Sequence, residues 1–170
     1  MAVREMRGQM FGDQLRIAGG SNADGSVQIA IDGRATVEGM RRMFDHPLFR
    51  RLAGSARYTA LLTVKEGRAQ IGVDSTLQGV SSSLPPPLAK NAAEALALRM
   101  EIFPGDGRDR VSIALGPPSG RIVSAEYLRA IPQGGTALQV QRALIALNPV
   151  AGETVRIPER RGTTVRGSLP

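Results

Sequence analysis

The side chains able to do chemistry are few and scattered. His46 is the only histidine. It stands before Pro47 with no companion at metal-ligand spacing, which assigns it to a surface or a cap rather than to catalysis. The carboxylates Asp74, Glu94, Glu101 and Asp109 fall on the polar phase of alternating segments or in turns. There they read as solvated charges rather than as a general acid and base. The absence of cysteine excludes a disulfide framework, a thiolate metal site and a cysteine nucleophile. No nucleophile elbow is present. The glycine loops Gly19 to Gly25 and Gly105-Asp106-Gly107 lack the spacing of a phosphate loop or a calcium loop, and hairpin turns explain them better. The expectation is a chain that is not an enzyme and holds no cofactor and no metal.

Charge points outward instead. The 170 residues carry a net charge of +7, and Lys65 and Lys90 are the only lysines among 22 basic residues. Such a surface suits nucleic acid, anionic lipid headgroups or plain solvent. Arg41-Arg42 and Arg50-Arg51 are candidate headgroup contacts. A nucleic-acid module would need basic side chains among stacking aromatics, yet Phe11, Phe44, Phe49, Phe103, Tyr58 and Tyr127 are dispersed along the chain. Hydrophobic residues make up 42% and aromatics only 4%, so the chain folds and its apolar surface is aliphatic. No apolar run reaches the roughly 18 residues needed to span a bilayer, and no signal-peptide core follows Met1 to Arg7.

The elements that carry these residues are strands. Period-two alternation places Val27, Ile29 and Ile31 against Gln28 and Asp32, and Ile71, Val73, Ser75 and Leu77 against Gln70, Asp74, Thr76 and Gln78. Leu96, Leu98, Met100 and Ile102 alternate with Arg99 and Glu101, while Val111, Ile113 and Leu115 alternate with Asp109 and Ser112. Further strands are expected over Met10 to Ala18, Ser55 to Val64, Arg121 to Leu128, Leu138 to Leu147 and Thr163 to Leu169, about nine in all. The reversals expected between them are Asp24-Gly25, Glu66-Gly67, Gly105 to Gly107, Pro117 to Gly120, Gln133 to Gly135 and Asn148-Pro149, which gives a meander. Two short helices interrupt it. Thr36 is the expected N-cap of Val37 to Phe44, Asp45 that of Pro47 to Leu52, and Gly54 ends the second.

A sheet with one apolar face must cover it. Two short helices are too small for nine strands. The sheet therefore folds over as a sandwich or barrel, pairs with a partner, or curves around an apolar ligand.

One segment carries a family resemblance. Ile71 to Val80 runs into Ser81-Ser82-Ser83 and then Leu84-Pro85-Pro86-Pro87-Leu88-Ala89-Lys90. Proline fixes φ and lacks an N–H, so Leu84 to Leu88 is expected to leave the sheet as a stiff extended crossing. This stretch is similar to a signature of the YhdP proteins, a strand followed by a proline-rich crossing. Ile71 and Val73 match its aliphatic positions, Ser75 its small polar one, and Leu77, Gly79, Leu84, Pro85, Pro87, Leu88 and Lys90 fall in place. His46 to Tyr58 resembles the family's short helix leading through glycine into a strand, and Gly162 to Pro170 resembles a recurring strand.

YhdP proteins are AsmA-like envelope proteins of Gram-negative bacteria. The resemblance implies a mainly β fold, an antiparallel meander forming a curled open sheet with two short helices. The chain, residues 1–170, would be one β-rich segment of a longer protein, with a helical insertion at 36–53 and a Pro/Ser/Ala-rich crossing loop at 81–95. It further implies a periplasmic location, anchored in the inner membrane by a segment absent from this chain, and phospholipid acyl chains as the partner. The expected role is to line a hydrophobic groove between inner and outer membranes and so support outer-membrane integrity. The lipid-facing residues would be Val27, Ile29, Ile31, Ile71, Val73, Leu96, Leu98, Met100, Ile102, Val111, Ile113 and Leu115. A structural or partner-binding β-sandwich is the alternative, and a basic nucleic-acid module the third.

Overall fold

The computed structural model describes residues 2–105, 107–117, 120, 122–132, 139–149 and 157–167. Eleven strands form one open sheet: β1 (Ala2–Met10), β2 (Asp13–Ser21), β3 (Val27–Thr36), β4 (Leu52–Lys65), β5 (Arg68–Ser75), β6 (Val80–Ser82), β7 (Ala97–Gly105), β8 (Arg108–Gly116), β9 (Val123–Ala130), β10 (Gln139–Leu147) and β11 (Gly162–Gly167). Ten follow in spatial order β1-β2-β3-β4-β5-β7-β8-β9-β10-β11, and β6 pairs with β4 off this path. The end strands β1 and β11 do not meet, and all neighbours are antiparallel except β10 and β11. The mainly β, open-sheet expectation therefore holds.

Local chemistry explains most of the edges. Glu66-Gly67 takes positive φ at both residues (51° and 73°), the two-residue hairpin turn that matches strand twist, and links Lys65 to Arg68. Phe11-Gly12 does the same (53° and 82°), so the single strand expected over Met10 to Ala18 is instead the hairpin β1-β2. Phenylalanine is an unfavourable residue at positive φ. Tertiary contacts hold it: the Phe11 carbonyl accepts from the Thr36 N–H and hydroxyl, both at 2.9 Å, and its ring lies 5.9 Å from Tyr58.

Between β3 and β4, α1 spans Val37–Met43 with Thr36 as N-cap, its hydroxyl accepting from the Gly39 N–H at 2.9 Å. The second helical piece is a 3-10 turn, Pro47–Arg51. Its cap is His46, whose Nδ1 accepts from the Leu48 N–H at 3.2 Å, rather than Asp45. Gly54 lies within β4. Val37, Ala56 and Val80, with Leu52, form a small core where α1 meets β4 and β6. The aromatics are less dispersed than their sequence positions: Phe11, Phe44, Phe49 and Tyr58 make a chain of ring contacts 5.9 to 6.4 Å apart here.

The alternating stretch Ile71 to Val80 is two strands. β5 stops at Ser75, Leu77 and Gly79 turn with φ of 50° and 98°, and β6 then pairs with Leu52–Gly54 of β4. Nor is Leu84 to Leu88 extended. Leu88 N–H closes a turn on the Pro85 carbonyl at 3.0 Å, and Ser82 and Lys90 bridge its base. The last link also departs from a meander. After Asn148-Pro149 the chain crosses over and returns as β11, parallel to β10. Of the expected turns and strand ends, Asp106, Pro118-Ser119, Arg121, Gln133-Gly134-Gly135, Leu138 and 168–170 lie outside the described residues.

Among the described residues no second sheet or long helix packs across this one. The chain exposes 11678 Å², whereas a compact monomer of its 18.0 kDa exposes about 8,000 Å². That excess fits a single curtain of strands, not a sandwich.

Candidate functional site

Register sorts the side chains of the sheet into two faces, because directly paired residues point to the same side. One row runs Met6, Ile17, Ile31, Ala60, Val73, Met100, Ile113, Ala125, Ile145 and Val165 across ten strands. The adjacent row on the same face runs Gly19, Ile29, Leu62, Ile71, Ile102, Val111, Tyr127 and Ala143. Toward one end of the strands the face continues as Leu15, Gly33 and Tyr58, then Ser75, Leu98, Leu115, Val123 and Leu147. Val27 pairs with Val64 at the other end.

Eleven of the twelve residues named from sequence thus share one continuous face: Val27, Ile29, Ile31, Ile71, Val73, Leu98, Met100, Ile102, Val111, Ile113 and Leu115. Leu96 lies just ahead of β7, its N–H held by the Thr76 carbonyl at 2.7 Å. Alternation in single strands missed the matching contributions of β2, β9 and β10, which only the register aligns.

This face is neither a core nor a wet surface. Val111 is 1% exposed, and Leu15, Ala125 and Ala143 are buried, but Ile29, Ile31, Ile71, Val73, Leu98, Met100, Ile102 and Ile113 are half-buried by one another alone. Exposure rises at both edges of the sheet, to 52% at Met6 and 60% at Val165. The desolvated character shows in its two tyrosines. Burial pushes the phenols of Tyr58 and Tyr127 above their usual value, against the pull of Arg129 in the second case. The Tyr58 hydroxyl is buried without a hydrogen-bond partner among the described residues.

α1, Phe11 and Tyr58 stand at one end of the face. At the other, Arg129 reaches Asp109 at 2.7 Å, so Asp109 is a buried, paired charge in phase with Val111 on this face and not the solvated charge expected from sequence. The opposite face carries Arg16, Gln28, Asp32, Arg34, Thr59, Asp74 and Arg99, mostly exposed. On β9 and β10 that opposite face is itself sealed, with Ser124, Leu144 and Ala146 at 5%, 3% and 5% exposure. Arg142 donates there to the carbonyls of Pro158 and Glu159 at 3.3 and 3.2 Å, so the segment entering β11 passes over the polar side.

The family model for the YhdP protein matches residues 2–170. The chain belongs to the YhdP family. No curated protein and no solved structure matches it. Of the signature residues in this YhdP-family chain, Ile71, Val73 and Ser75 lie on the aliphatic face in β5, and the rest, from Leu77 to Lys90, build the excursion between β5 and β7. Gly79 (φ 98°) and Gly54 (φ 99°) pass so closely that a Cβ on Gly79 would strike the Ser55 carbonyl and one on Gly54 the Gly79 carbonyl. The Lys90 ammonium donates to the Val80 and Asn91 carbonyls at 2.7 and 3.0 Å, and desolvation lowers its pKa against the pull of Glu94. Leu77 and Gly79 make the turn, Pro85, Pro87 and Leu88 the loop, and Lys90 ties that loop to β6. As for metals, no group of three or more ligating side chains occurs among the described residues.

Proposed function

We propose that this YhdP-family chain lines a hydrophobic groove along which phospholipid acyl chains pass between the inner and outer membranes of a Gram-negative envelope. The observation that carries the reading is the uninterrupted aliphatic face: ten strands long, half-exposed, and without a second layer over it among the described residues. Water on such a face is costly, and each methylene that replaces it gains roughly 0.8 kcal/mol. A smooth wall of Val, Ile, Leu and Met offers that gain at every strand alike, so a chain can slide from row to row without a deep trap. The role is passive and non-enzymatic. In this proposal the chain works in the periplasm as part of a longer, inner-membrane-anchored protein and supports the outer-membrane barrier.

Ile29→Glu places a carboxylate on the groove face, and Gln28→Glu places one on the opposite face a residue away. In the intact protein in cells, the first is expected to abolish outer-membrane barrier function and the second to leave it at the wild-type level, with both folded by circular dichroism. Equal behaviour of the two folded variants overturns the groove.

A further inference from the structure

A cavity of about 570 Å³ lies beside Arg57 to Thr59 of β4, at the ends of β5, β7 and β8. Its volume is that of a small-molecule site. It is lined from both faces: Leu98 and Leu115 belong to the aliphatic rows, whereas Arg57, Asp74 and Arg99 belong to the polar side. Arg99 is engaged by Glu101 at 3.4 Å. Among the described residues, neither the Arg57 guanidinium nor the Asp74 carboxylate has an ion pair or a side-chain hydrogen bond.

Asp74 is directly opposite Thr59, two residues along β4 from Arg57, which makes Arg57 and Asp74 a diagonal pair about 7–8 Å apart at the backbone. They share one cavity and leave each other free. Arg57 also faces Arg34 directly across β3 and β4, but Arg34 is engaged by Asp13 at 3.8 Å and by the Ser55 hydroxyl at 3.2 Å, so of the two it is Arg57 that is left to meet an anion.

Resting on the groove reading, we propose that this cavity holds the zwitterionic headgroup of a phospholipid, its phosphate on Arg57 and its ammonium on Asp74, while the acyl chains lie over Leu98 and Leu115. Arginine suits the phosphate through its forked donors. A carboxylate between two arginines has no use for an anion, but it accepts from an ammonium. The site then favours phosphate–amine headgroups over purely anionic ones.

The test uses three photoactivatable probes with the same diazirine acyl chains: phosphatidylethanolamine, phosphatidylglycerol and diacylglycerol. The wild-type chain is expected to capture the ethanolamine lipid about fivefold better than the glycerol lipid. Asp74→Asn brings that ratio to about one. Arg57→Gln lowers both phospholipids about fivefold and leaves diacylglycerol unchanged, and Arg57→Lys restores part of the loss. Melting curves confirm that these exposed-site variants fold. An unchanged ratio in Asp74→Asn, or a loss in Arg57→Gln that extends to diacylglycerol, overturns the headgroup site while the groove stands. Failure of the wild type to capture even diacylglycerol removes the groove, and this inference with it.

Discussion

At Asp24, in the turn between β2 and β3, one carboxylate gathers the Ser26 hydroxyl at 2.6 Å, the Ser26 N–H at 3.1 Å and the Lys65 ammonium at 3.0 Å. The Ser26 hydroxyl first, then Lys65, hold its pKa well below the usual carboxylate value. A depressed folded pKa means that Asp24 adds stability above its unfolded pKa of about 4, and that this contribution is lost as pH falls through the folded value. Thermal melts of wild type and Asp24→Asn should therefore differ at pH 7, with the variant lower, and converge toward pH 2. A difference that persists unchanged at pH 2 contradicts the assignment. The side chain is fully exposed, so the effect is modest. Turn chemistry of this kind was legible: Asp24-Gly25 and Glu66-Gly67 are reversals by residue type alone. Phe11-Gly12 was not, because phenylalanine occupies positive φ only through contacts with Thr36 and Tyr58 that are remote in sequence.

Elements were legible where alternation ran through residues facing both oil and water, as in β3, β7 and β8. The signature segment shows where that reasoning stops. Ile71 to Val80 alternates throughout, yet the chain leaves the sheet after Ser75, whose hydroxyl donates to the Arg57 carbonyl at 2.7 Å and accepts from the Leu77 N–H at 3.0 Å. The chain then returns to β4 through the close approach of Gly54 and Gly79. Period alone cannot see a second partner strand. Proline resists helix and sheet, which predicts an extended crossing for the proline run, but the Ser82–Lys90 bridge folds it into a closed loop. On this account Gly79→Ala forces both a positive φ and a backbone clash, and is expected to cost about 2 kcal/mol or more. Denaturant unfolding would register it; a change below about 0.5 kcal/mol would show that the excursion is not clamped there.

For the whole molecule, one apolar phase repeated strand after strand is enough to predict a greasy face, and eleven of the twelve residues read from sequence lie on it. What sequence could not decide was whether that face closes. Strand order and register do, since β1 and β11 remain apart and the residues just before β11, Pro158 and Glu159, lie on the polar side. A face this broad and this bare is the central claim, and photo-crosslinking in the intact protein in cells tests it most directly. A photoreactive residue at Ile113 is compared with one at Ser112, its neighbour on the opposite face. Phospholipid adducts at position 113 and none at 112 are the result predicted by the account. Equal capture at both, or no lipid at 113 in a folded protein, would contradict it.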